Sequence, residues 1–212
     1  PKAEEIKHAR SLVDHSALVL DDSASTAYLK HSDMQVGLGS IAKGYAIDLA
    51  VKTLRKYGFT RFMVDGGGDI FVEGTRATRR PWRIAIKHPR KDGTMFGFVD
   101  AQSQSVVTSG DYEHFFELNE KRYHHIIDVR TGYPADQCVS VTVVSASATI
   151  ADALATAIFV LGPSKGVELL AHYPNTKAVI LASDGFVYGR PATFLGSFPK
   201  RWQSIAMDDK AY

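Results

Sequence analysis

Asp152 and Thr156 stand four residues apart in the segment ATIADALATAIFVL, and a carboxylate and a hydroxyl at that spacing point from one face of a helix. Close to a helix start they form a pair of hard oxygen donors suited to Mg²⁺, while the helix terminus itself attracts a phosphate. Each also has an ordinary structural role, because an acidic first-turn residue answers the helix dipole and a mid-helix threonine packs. Lys43 follows the glycine-rich run Gly37, Leu38, Gly39, Ser40, an entry into a helix where backbone amides and an ammonium one turn in would meet an anion. That run matches neither the dinucleotide fingerprint nor the P-loop. Gly66, Gly67 and Gly68 precede Asp69. Three successive glycines raise the entropy cost of folding and add no packing, so they mark a close backbone approach, either to a ligand or to another segment. Asp65 and Asp69 would orient that loop or bind sugar hydroxyls. His124 and His125 are neighbours on a strand and face opposite ways, so at most one reaches a shared site.

The elements that carry these residues follow from periodicity. Residues 139–145 (VSVTVVS) form a β-branched run read as a buried strand; Ser147 and Thr149 then offer N-caps, and 150–161 is a helix ended by Gly162 and Pro163. Residues 1–14 read as an amphipathic helix, and 17–20 with 27–29 as short strands around a polar turn. In 34–58, Ser40 is the expected cap of a long helix whose apolar positions Ile41, Tyr45, Ala46, Leu49, Val51 and Leu54 face the core. Residues 61–74 read strand, glycine loop, strand. Strands follow over 79–89, 96–101 and 105–108, with a turn at 109–111. Residues 115–118 and 123–127 form a hairpin, 164–172 a short helix, 177–182 and 186–189 a second hairpin. The aromatic tail, 193–212, is expected to cover a sheet edge. With no repeat and no linker, the expectation is one compact α+β domain over residues 1–212, a mostly antiparallel or mixed sheet with packed helices.

The totals agree. A chain of 212 residues that is 45% hydrophobic can bury one substantial core. The net charge is +2, and the basic residues are scattered apart from a short cluster over 76–90 that lacks interleaved aromatics, which argues against nucleic acid as a partner. A single cysteine, Cys138, excludes an intrachain disulfide and a cysteine-rich metal site. No apolar run reaches membrane-spanning length. The first residue is Pro1, as expected of a processed or trimmed product.

Five stretches taken together, GLGSIAKGYAID (37–48), VDGGGDIFVEG (64–74), TSGDY (108–112), HHIIDVRTGYP (124–134) and VSVTVVSASATIADALAT (139–156), resemble the ApbE family of FAD:protein FMN transferases. The resemblance implies an α+β fold that binds FAD and Mg²⁺ and transfers FMN to a Thr or Ser hydroxyl of an acceptor flavoprotein, releasing AMP. It places metal ligands on Asp152, Thr156 and the backbone carbonyl of Ser40. FAD contacts fall on Gly37, Lys43 and Ile127, joined by the loop residues Gly66, Gly67, Gly68 and Asp69. Position 37 is often Asp in the family and is Gly here. As proton acceptor for the attacking hydroxyl, Asp152 is the first candidate and His125 the second. Family members carry a further N-terminal portion, so the expected fold is that of the central and C-terminal parts. A cell-envelope or periplasmic location is also implied. Two alternatives use the same residues, an FAD pyrophosphatase giving FMN and AMP and a non-catalytic flavin-binding module.

Overall fold

The computed structural model describes residues 1–189, the backbone of 194–195, and Trp202. Helix α1 (Ala3–Ser11) leads into a hairpin of β1 (Leu18–Asp21) and β2 (Thr26–Leu29), followed by α2 (Ala42–Lys56). The hairpin of β3 (Phe62–Asp65) and β4 (Ile70–Glu73) comes next, then β5 (Trp82–Lys87), β6 (Met95–Ala101) and β7 (Gln104–Gly110). A projecting hairpin, β8 (Phe115–Leu118) and β9 (Lys121–His124), precedes the short pair β10 (Ile127–Asp128) and β11 (Tyr133–Pro134). The chain continues through β12 (Cys138–Ser145), α3 (Ala148–Leu161), α4 (Pro163–Leu170), β13 (Lys177–Ala182) and β14 (Val187–Gly189).

The central sheet has six strands in the order β14-β13-β12-β7-β4-β3, and every neighbouring pair is antiparallel. Strand β12 lies inside it and is buried along its whole length, which is why 139–145 is β-branched throughout and does not alternate with polar residues. Val141 and Val143 face α3 and α4, packing with Leu154, Ile158 and Leu170, while Val144 faces the opposite layer, where β5 and β6 supply Ile84, Ile86 and Val99. A register shift between Cys138 and Ser140 breaks the alternation, and Val139 joins the Val144 side. The result is an α+β architecture with helices on one face of an antiparallel sheet and a β5–β6 ladder on the other.

Phe159 of α3 is fully buried in the helix-side core, with its ring edge-on to His124 at 5.5 Å between centroids. Truncating it to alanine is expected to destabilise the fold by about 3–5 kcal/mol, read as a lower urea midpoint at unchanged slope.

The structure departs from the sequence reading at α2. The N-cap position is Ile41, no side chain caps it, and Ser40 lies exposed in the loop before it. The buried positions are Gly44, Ile47 and Val51, whereas Tyr45 and Leu49 are 58% and 46% exposed. The reason is Gly44: the missing side chain lets α2 approach α3 most closely there, and that contact turns Tyr45 and Leu49 outward. Helix α1 buries no residue, although Arg10 reaches the backbone carbonyls of Val129 and Arg130. Ser109 and Gly110 prolong β7, opposite Val141 and Ser140, where a turn was expected. The tail over 193–212 lies outside the described residues except for 194–195, which pair with β6, and buried Trp202.

Candidate active site

Two helix starts meet at the site. A Cβ on Gly44 would sit 2.3 Å from the carbonyl oxygen of Ala148, so α2 and α3 touch backbone to backbone at this point. Each helix offers a carboxylate to the other's unsatisfied amides. Asp152 of α3 accepts a hydrogen bond from the Gly44 N–H at 2.9 Å. Asp48 of α2 accepts from the N–H groups of Ala148 and Thr149 at 2.8 and 3.0 Å, and from the hydroxyls of Ser147 and Thr149 at 2.8 and 2.7 Å. Ser147 is the N-cap expected from sequence, its Oγ accepting from the Ile150 N–H at 3.2 Å. Burial pushes the Asp48 carboxyl up, but the Thr149, Ala148 and Ser147 donors outweigh it and hold the pKa below the ordinary carboxylate value.

The β3–β4 turn brings the glycine loop beside these helix starts. Gly67 and Gly68 take φ of +76° and +96°, a backbone that side-chain-bearing residues rarely adopt, and Asp65 closes the turn by accepting from the Gly68 N–H at 2.7 Å. Asp69, 2% exposed, forms an ion pair with Lys43, Nζ to Oδ2 at 2.8 Å. Burial works against the Lys43 ammonium, yet Asp69 beside it, with Asp152 and Glu113 further off, raises its pKa overall. Asp152, 4% exposed, moves the other way for a carboxyl: burial first and then the Asp69 charge raise its pKa, against the opposing pull of the Gly44 N–H and Lys43.

These groups line one cavity of about 340 Å³. Lys43, Gly67, Gly68, Asp69, His125, Asp152 and Thr156 all reach its wall. Gly37, Ser40, Gly66 and Ile127 do not. Gly39 stands at the wall where Ser40 was expected, and Gly66 instead packs against Ile47, where a Cβ would lie 2.9 Å from the Ile47 side chain. Ile127 is 42% exposed and pairs with Pro134 in the β10–β11 ladder. Of the two histidines, His125 lines this cavity and buried His124 bonds the Ala135 carbonyl at 2.9 Å through Nε2. A second cavity, about 560 Å³, is lined by His124, Arg90, Asp111 and Arg122 and contains none of the candidate metal ligands, FAD contacts or proton acceptors. There Asp111 accepts two hydrogen bonds from Arg90.

Sequence reasoning missed Ser109, whose hydroxyl lies 3.3 Å from that of Thr156, and Lys87 and Tyr112, which form the far wall with the ammonium 5.5 Å from the ring centre. The TSGDY stretch held the signal for Ser109 and Tyr112; nothing in the sequence singled out Lys87.

Among the described residues no group of three or more His, Cys, Asp or Glu side chains is gathered tightly enough to hold an ion alone. The donor set that fits Mg²⁺ is mixed. Asp152 has committed only Oδ2 to Gly44, Thr156 adds a hydroxyl, and Asp69, paired with Lys43, shares their cavity. All are hard oxygens, the chemistry Mg²⁺ prefers.

A model of the ApbE family matches residues 1–180. The chain belongs to the ApbE family. Among its ApbE relatives, the FAD:protein FMN transferase of Treponema pallidum is 38% identical over 199 residues, covering 87% of this chain and 55% of that protein. The Klebsiella pneumoniae protein of the same name is 34% identical, with 87% and 57% covered. Among solved structures, the ApbE protein of Thermotoga maritima superposes with a TM-score of 0.80 at 36% identity, covering 88% of this chain and 61% of that one. The flavin transferase ApbE of Vibrio cholerae gives 0.77 at 30%, with 92% and 63% covered. The chain thus spans little more than half the length of these curated relatives.

Proposed function

We propose that this ApbE chain carries the catalytic cavity of a Mg²⁺-dependent transferase that moves FMN from FAD to a Thr or Ser hydroxyl of an acceptor flavoprotein. The observation that carries the reading is the convergence of Asp152, Thr156, Asp69, Lys43 and the Gly67 and Gly68 turn on one cavity at two helix starts. In the reaction the acceptor oxygen bonds to the FMN phosphorus, the pyrophosphate P–O bond breaks, AMP departs, and the hydroxyl proton passes to a base.

Asp152 and Thr156, with Asp69 at the same wall, would hold Mg²⁺, which when bound neutralises pyrophosphate charge as a Lewis acid. Lys43 adds a cation at the opening of α2, and with the Gly66 and Gly68 amides donated within the turn to Asp69 and Asp65, the Gly67 amide is the one placed to meet a phosphate oxygen. His125 suits the base role better than Asp152, whose oxygens are committed to Gly44 and the ion. Its Nδ1 lies 3.4 Å from the His114 carbonyl oxygen. With Nδ1–H donated there, Nε2 is the basic nitrogen.

The reading includes an envelope location for the whole protein; no helix among the described residues is long and apolar enough to cross a membrane. Mass spectrometry of an acceptor protein incubated with the enzyme, FAD and Mg²⁺ tests it. The expected result is one FMN added to a Thr or Ser, lost when Mg²⁺ is chelated. Free FMN with unmodified acceptor would establish a pyrophosphatase instead, and intact FAD a binding module.

A further inference from the structure

We infer that Asp48 is a positioning residue of this site: by gripping the start of α3 from α2, it sets Asp152 and Thr156 opposite Lys43 and the glycine turn. The inference rests on the transferase reading above and extends it to a residue that does not touch the cavity.

Helix α3 has a local cap as well, and Asp48 takes two further first-turn amides, those of Ala148 and Thr149. Ser147 accepts from Ile150 within the helix's own first turn, which is what an isolated helix needs in order to start. Asp48 adds something different, since its bonds run between elements about a hundred residues apart in sequence. Its four donors are two amides and two hydroxyls, shared over both carboxylate oxygens, with Oδ2 taking three of them. A carboxylate with no hydrogen of its own can satisfy such a set. An asparagine amide presents one accepting oxygen and turns two N–H groups toward donors, so it cannot.

The grip acts at the part of α3 that matters. Asp152 sits one turn beyond Ala148 and Thr149, and Thr156 one turn beyond that, so any tilt of α3 at its start displaces both oxygens together. The return bond from Gly44 to Asp152 holds the same junction from the other side. Side chains that orient ligand-bearing elements without touching the ion typically change metal affinity about 10- to 100-fold when lost.

The test compares wild type, Asp48→Asn and Asp152→Asn by calorimetric titration with Mg²⁺ in the presence of FAD, alongside thermal unfolding. Asp48→Asn is expected to weaken Mg²⁺ binding about tenfold in protein that remains folded. A lower melting temperature with an unchanged Mg²⁺ dissociation constant would make Asp48 merely structural and overturn the inference. Asp152→Asn separates the two readings: if it binds Mg²⁺ like wild type, the transferase assignment of the site fails, whereas if it alone loses binding, only the role of Asp48 fails. Should Asp48→Asn not fold, Thr149→Val removes one hydroxyl donor with little change of shape. A smaller weakening of Mg²⁺ binding in that variant supports the role of Asp48, and an unchanged value refutes it.

Discussion

Replacing Asp152 by asparagine is expected to lower Mg²⁺-dependent FMN transfer by about 10³-fold and, in the same protein without metal, to raise the melting temperature. The first effect follows from the several kcal/mol that a Lewis acid contributes to a phosphoryl transition state, at about 1.4 kcal/mol per tenfold in rate. The second follows from burial. Asp152 is 4% exposed, and its pKa is raised by desolvation and by the nearby Asp69 charge. A carboxyl whose pKa is higher in the folded than in the unfolded protein opposes folding when ionised, so its penalty is fully present above the folded pKa and fades as pH falls through it. Asparagine keeps an acceptor for the Gly44 N–H and carries no charge. The advantage in melting temperature should therefore be largest at neutral pH and shrink on acidification through the carboxylate range. Thermal scans of metal-free protein at several pH values check this. A variant less stable than wild type at neutral pH would contradict the picture of a buried carboxylate kept for a cation.

The second large effect is at Gly44. In an ordinary helix interior alanine is favoured over glycine by about 1 kcal/mol. Here the new methyl would lie 2.3 Å from the Ala148 carbonyl oxygen, 2.6 Å from its carbon and 2.8 Å from the Thr149 Cα, all backbone atoms that cannot rotate away. The clash wins, and Gly44→Ala should cost about 2–3 kcal/mol of stability. Because the helices must separate at the junction that positions Asp152, transfer should also fall about 10²-fold in the fraction that folds. Gly37→Ala is the matching control, since nothing lies within 4 Å of its Cβ position and its φ is ordinary. Denaturant melts and single-turnover transfer measure both. Equal stabilities for the two variants would show that the close approach of α2 and α3 is not a constraint.

What the sequence disclosed depended on how far apart the interacting residues are. The buried β12, the Ser147 cap and the shared face of Asp152 and Thr156 are encoded within a few residues and were readable as β-branching, a cap residue and helical spacing. One imidazole of His124 and His125 reaches the site cavity, as strand alternation implied, but β9 ends at His124 and His125 lies in the bend beyond it, so alternation is not what parts them. The α2–α3 junction joins residues about a hundred positions apart, and no local periodicity records it. For that reason the apolar stripe of α2 was assigned to Tyr45 and Leu49, and Asp48 drew no attention as a site residue. Ser40 and Ile127 came from family resemblance. The structure places Gly39 at the cavity wall in place of Ser40, and leaves Ile127 on a solvent-facing ladder.

The exchange of carboxylates between α2 and α3 means that neither helix can fray at its start without stripping the other of hydrogen-bond acceptors. Ordinarily the first turn is the loosest part of a helix, yet here the two loosest parts open or close as one unit. When such a joint opens, the Asp152 and Thr156 oxygens leave the cavity together.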